Sequence, residues 1–248
     1  AANMRHAYCG RVSVSYACLF LMLFCYQNFA IRNVSAAESP SLASEQTGQP
    51  AQIRGKDSFD DAVQAVKDRD FQRAVQTFTT LSQTVHYGGQ YEAQFNLAVL
   101  LKQGRGRPQN YAEALYWARR AELGGIEKSK NFADSFSDRI TEDQHKAILA
   151  RIKTALLKEV DLGAIDTLPQ LATFHITLLD EYDYGQAYLW FALGAALDLP
   201  EQDVRRAEME DELETEQIAT LQRETNKLFD ALLAGDSLEL LLQPAMEE

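Results

Sequence analysis

The side chains of this sequence that could bind a metal, move a proton or grip a partner are three of its four histidines, those beyond residue 37, with two tryptophans, a set of tyrosines and one acidic run. His86, His145 and His175 stand far apart, with no cysteine near them and no carboxylate at the i, i+4 offset that would complete a ligand set. His175 is expected at a core or rim position, with a ligand role as the alternative. No GxSxG, HExxH, Walker-type loop or zinc-spaced cysteine set occurs, and no nucleophile stands beside a plausible base. The expectation is therefore a non-enzyme with no catalytic residue, no metal and no cofactor.

Trp117 and Trp190, with Tyr111, Tyr184 and Tyr188, would suit an aromatic pocket, but their helical spacing puts them in a core first. The run "AEMEDELETE", residues 207–216, offers six acids to a basic partner. A solvated helical face is the plainer reading.

The elements that must position these residues are announced by a phrase written three times. "DFQRAVQTF" (70–78), "NYAEALYWA" (110–118) and "DYGQAYLWF" (183–191) each place an aromatic at i and small or apolar residues at i+3, i+4 and i+7. Phe71, Ala74, Val75 and Phe78 correspond to Tyr111, Ala114, Leu115 and Ala118, and to Tyr184, Ala187, Tyr188 and Phe191; Leu81, Ala121 and Gly194 follow at i+10. That spacing is one face of an amphipathic helix. Its recurrence suggests stacked helical units, none able to bury its apolar face alone. The expected fold is all-α, an α-α superhelical solenoid.

Helices are expected over 58–68, 70–85, 90–103, 110–123, 127–139, 141–160, 168–180, 183–197, 200–213 and 215–234. Pro169 suits a first helical turn, where the missing N–H costs nothing. Thr141 and Gln144 have capping-box spacing, whereas Thr215 has Ile218 at the matching place. Two modules, about 58–160 and 161–235, each end in a long helix, and residues 236–248 form a short tail. Residues 38–57 are poor in large apolar residues and read as a flexible linker.

Residues 1–37 read as a secretory signal. Met4 to Arg11 carries two arginines and no acid, Ala17 to Tyr26 is an unbroken apolar run, and "VSAAES" supplies small residues for cleavage after Ala37. Val12 to Ile31 is about long enough to span a bilayer, so an uncleaved membrane anchor is the alternative. Lipidation at Cys25 is disfavoured by Phe24 before it. Cys9, Cys18 and Cys25 all lie in this segment, so a mature exported chain would hold no disulfide. The location expected is periplasmic or secreted. The chain carries 24 Lys and Arg against 36 Asp and Glu, net −12, which repels nucleic acid and anionic headgroups and is compatible with a protein partner. Solubility alone is the competing explanation.

"YEAQFNLAVLLKQGRGRPQNYAEALYWARRAELGG", residues 91–125, resembles a Sel1-like repeat, a relative of tetratricopeptide repeats. Ala93 and Leu97 lie on a first helix, Gly104, Arg105 and Gly106 form the loop, and Ala114, Trp117 and Ala121 lie on a second. "YGQAYLWFALGAAL" resembles the second helix of another unit, whose first helix runs into it without the Gly-x-Gly loop. The resemblance implies stacked helix pairs curving into a concave surface, and an adaptor or scaffold that binds a protein partner in a cell-envelope assembly.

On that surface Ala93, Leu97 and Leu100 fix a buried face, leaving Asn96, Val99 and Gln103 on its shoulder as candidate partner contacts; solvated residues beside a core are the alternative. Two other readings come with the resemblance. One is an accessory protein of the flagellar motor; the other is a β-lactamase-like hydrolase, a branch that relies on cysteine pairs lacking here after residue 25.

Overall fold

The computed structural model describes residues 55–85 and 89–238. The expected signal (1–37), most of the linker and the tail beyond Leu238 lie outside the described residues, as does His86. Every regular element among the described residues is helical: α1 (Gly55–Lys67), α2 (Phe71–Ser82), α3 (Gln90–Gln103), α4 (Tyr111–Leu123), α5 (Glu127–Asp134), α6 (Glu142–Asp161), α7 (Leu168–Thr177), α8 (Tyr184–Ala196), α9 (Gln202–Glu210) and α10 (Thr215–Ala234). Short 3-10 turns at Ser137–Arg139 and Ile165–Thr167 join α5 to α6 and α6 to α7. Helices adjacent in the chain pack as neighbours, α1 on α2, α2 on α3, α3 on α4, α7 on α8 and α8 on α9, while α10 folds back onto α8 and α6 touches both α4 and α7.

All ten expected helices are present, with the differences at their ends. α1 opens at Gly55, ahead of the expected boundary at Ser58. α2 stops at Ser82 and α7 at Thr177, short of the expected ends, and Ser137–Arg139 tightens into a separate 3-10 turn. Pro169 does occupy the first turn of α7.

The thrice-written phrase has one structural meaning. Ala74, Ala114 and Ala187 are each 0 % exposed, so a methyl is all that the facing helix leaves room for. Val75, Leu115 and Tyr188 are buried beside them, as are Phe78, Ala118 and Phe191, while the leading aromatics Phe71, Tyr111 and Tyr184 are half-buried at the edge of the core. The polar residue that opens each phrase is the helix N-cap. Asp70 Oδ1 accepts from Arg73 N–H at 3.2 Å, Asn110 Oδ1 from Glu113 N–H at 3.0 Å and Asp183 Oδ1 from Gln186 N–H at 2.9 Å.

The Gly-x-Gly loop ends α3. Gly104 takes the left-handed conformation of a helix C-cap, φ +66°, and its N–H bonds the carbonyl oxygens of Leu100 and Leu101. Gly106, at φ +78°, lies so close to the start of α2 that a Cβ there would sit 2.2 Å from the Phe71 carbonyl oxygen. The loop is thus packed directly against the first turn of α2. Between α7 and α8, where no such loop exists, Asp183 N–H instead donates to His175 O at 3.0 Å and closes the turn.

α6 opens with the expected capping box, Gln144 N–H donating to Thr141 Oγ1 at 3.3 Å and Thr141 N–H to Gln144 Oε1 at 3.0 Å. α10 carries a box as well, although the Thr215 spacing does not fit one: it starts one residue earlier, at Glu214. There Glu214 N–H donates to Gln217 Oε1 at 2.9 Å.

One hydrophobic cluster runs from Ala62 to Leu238, through Trp117, Ile152, Leu171, Trp190 and Leu228. Polar ties cross it. Arg120 on α4 pairs with Glu159 on α6, Tyr91 on α3 accepts a hydrogen bond from Gln170 on α7, and Arg151 on α6 pairs with Glu113 on α4 while stacking on Tyr116.

Candidate functional site

The acidity of the chain is unevenly placed. Residues 58–160 hold 15 Lys and Arg against 13 Asp and Glu, and residues 161–235 hold 4 against 16. The first stretch is close to neutral and the second carries the charge. This asymmetry was legible in the sequence by counting each half, a signal that reading the net charge of −12 alone passes over.

Within the acidic stretch, a cleft of about 440 Å³ opens between the start of α8 and one face of α10. Leu213 and Leu221 supply its apolar side and the backbone of Gly185 approaches Leu221 closely enough that a Cβ would stand 3.7 Å from Leu221 Cδ1. Glu216, Thr220 and Glu224 follow one another at i, i+4 and i+8 and so line one edge of α10, with Gln217 beside them. Asp183 closes the far side, already committed through Oδ1 to capping α8. Thr220 donates to Glu216 O at 3.1 Å, so its hydroxyl serves its own helix.

The three carboxylates of the cleft, Asp183, Glu216 and Glu224, have no Lys or Arg ion-pair partner among the described residues. The nearest basic group to Asp183 is His175, with Nδ1 3.9 Å from Asp183 Oδ2. His175 is only 3 % exposed and neither ring nitrogen has a hydrogen-bond partner. Burial pushes its pKa down to about 4, helped by the charge of Lys153 and opposed by Asp183, so at neutral pH the ring is uncharged and leaves the Asp183 carboxylate unneutralised.

A second cleft, about 530 Å³, lies against the Gly-x-Gly loop and is lined by Arg69, Asp70, Phe71, Gly104, Gly106 and Arg107 among others. Asp70 is spent on the α2 cap, and Arg105 lies over the Phe71 ring at 5.1 Å.

The residues singled out in the sequence fall as follows. Asn96, Val99 and Gln103 share one stripe of α3; the first two are half-buried, Gln103 is exposed, and none lines either cleft. Asn96 Nδ2 donates to Glu92 O at 2.8 Å, on its own helix. Trp117, Trp190 and Tyr188 are buried in the core, as their spacing implied. His145 is half-buried on α6, and no three His, Cys, Asp or Glu side chains among the described residues are grouped to hold a metal. In the acidic run, Glu208 and Glu210 pair with Arg205 and Arg206, Glu214 caps α10, and Glu216 reaches the cleft. Among the described residues no helix is long and apolar enough to cross a membrane. Comparison with protein-family models, with curated proteins and with solved structures finds no match to this chain.

Proposed function

We propose that this chain is a non-catalytic adaptor or scaffold whose helix pairs stack as a Sel1-like, tetratricopeptide-type solenoid and hold a protein partner in a cell-envelope assembly. The observation that carries the reading is the acid-edged, apolar-sided cleft between α8 and α10, whose side chains are arranged for display. Its hydroxyl and its capping carboxylate serve the protein's own backbone, which suits a surface that grips by shape and charge. Asn96, Val99 and Gln103 on α3 are the proposed contacts of the first module. The envelope location rests on the basic, apolar and small-residue pattern of residues 1–37.

The test is cross-linking in intact cells, with a photo-reactive residue at Gln103, at Thr220, or at exposed Lys130 as control. One dominant envelope protein captured at Gln103 or Thr220 and not at Lys130 supports the reading. No capture at either, or equal capture at all three, overturns it.

A further inference from the structure

Resting on that adaptor reading, we infer that the α8/α10 cleft is the docking site for a basic amphipathic helix of the partner, with Lys or Arg about two turns apart and aliphatic residues between them.

Three observations fix that chemistry. Glu216 and Glu224 lie eight residues apart on α10, a separation of about 12 Å at 1.5 Å per residue. A helical partner crossing nearly parallel to α10 would match it with cations at i and i+7 or i+8. Leu213, Leu221 and the bare backbone of Gly185 line the same cleft as the acids, so the occupant must bring apolar side chains as well as charge. Finally, Glu216 and Glu224 have no Lys or Arg ion-pair partner among the described residues, and Arg223 beside them on α10 donates to Thr220 Oγ1 at 3.0 Å rather than to either carboxylate. Asp183, on the far side, faces the buried His175, whose ring nitrogens have no hydrogen-bond partner.

Uncompensated like charges facing one apolar cleft repel each other, and an incoming cation pair relieves that repulsion. A metal ion is a poor occupant, because no three acidic or histidine side chains are close enough to share one among the described residues. Nucleic acid is repelled by a stretch with 16 acids and 4 bases.

The test uses the full chain and two synthetic helical peptides of equal length, one of Lys and Leu in a one-faced pattern and its Glu and Leu counterpart, titrated by calorimetry. The Lys/Leu peptide is expected to bind and the Glu/Leu peptide not to. Glu216→Lys with Glu224→Lys should weaken binding by about tenfold or more, while Asp203→Lys with Glu208→Lys, an equal change of charge on exposed α9 positions outside the cleft, should change it by less than about threefold. Glu216→Gln with Glu224→Gln, which keeps side-chain size, should follow the first pair and serves if charge reversal impairs folding.

Equal weakening by both Lys pairs would mean diffuse attraction to the acidic surface and would overturn the inference, as would no binding of the Lys/Leu peptide. Should the peptide fail while Gln103 still captures one envelope protein in cells, the cleft assignment falls and the adaptor reading stands. Should the peptide bind as described while cells yield no capture at any position, the adaptor reading falls by itself.

Discussion

Arg120 on α4 is 2 % exposed, and its Nη2 lies 2.7 Å from Oε1 and 2.8 Å from Oε2 of Glu159 on α6, 39 residues later in the chain. This pair ties α4 to the long helix α6. Removing Glu159 would strand the Arg120 charge beneath the α4/α6 interface, whereas Glu159, 14 % exposed, keeps some access to water when Arg120 is lost. Arg120 Nε already lacks a partner, so the site has no spare acceptor to offer.

Glu159→Ala, which leaves the buried Arg120 charge without its partner, is therefore expected to lower the unfolding free energy by roughly 3 kcal/mol, and Arg120→Ala by less through the lost charge pair, since Glu159 is 14 % exposed. Arg120→Met with Glu159→Leu should cost much less than either single change, because both desolvation penalties vanish together. Urea unfolding monitored by circular dichroism checks this; additive losses in the double variant would disprove the coupling.

Gly106→Ala combines a left-handed backbone, φ +78°, with a Cβ placed 2.2 Å from the Phe71 carbonyl oxygen and 2.6 Å from its carbon. The start of α2 must move, at an expected cost of at least about 2 kcal/mol. Gly125→Ala is the matched control. It also has a positive φ, +90°, but meets no atom within 4 Å, so only the backbone strain of about 1 kcal/mol should appear in its melting curve.

The buried, neutral state of His175 makes stability depend on pH. Its folded pKa of about 4 lies below the unfolded value of 6.5, so the unfolded chain binds more protons in between. Stability is complete above pH 6.5 and falls as pH drops toward 4, by about 2 kcal/mol at pH 5 relative to pH 8 from this one group. His175→Leu should flatten that part of the stability profile. An unchanged slope in this variant would show that carboxylates alone set it.

Asn110 caps α4 through Oδ1, accepting from Glu113 N–H at 3.0 Å. Asn110→Ala should cost about 1 kcal/mol in denaturant unfolding and Asn110→Asp close to nothing, since Asp70 and Asp183 do the same work on α2 and α8. A loss with Asp as large as with Ala would mean that Asn110 acts through something other than capping.

The sequence by itself determined the helices and their inward faces. Phe71, Tyr111 and Tyr184 each lead a stripe whose period follows from backbone geometry within one segment, so Ala74, Ala114 and Ala187 could be placed in a core before any partner helix was known. The Gly104 and Gly106 turn and the Thr141 box were legible for the same reason: each is a bargain among residues a few positions apart. The aromatic residues were readable as core from the same spacing, whereas the α10 box was not legible from Thr215, because it starts one residue earlier at Glu214.

Only the tertiary structure decided which surfaces meet. Arg120 finds Glu159 39 residues away and Tyr91 finds Gln170 79 residues away, pairings that depend on how α6 and α7 cross the earlier helices. The cleft is of this kind. Asp183 belongs to one helix start and Glu216 and Glu224 to another, and no periodicity within either segment states that α10 folds back onto α8. Helical spacing is a short-range property of the chain, whereas a site between helices is set by packing across the core, where volume and crossing angle decide the neighbours.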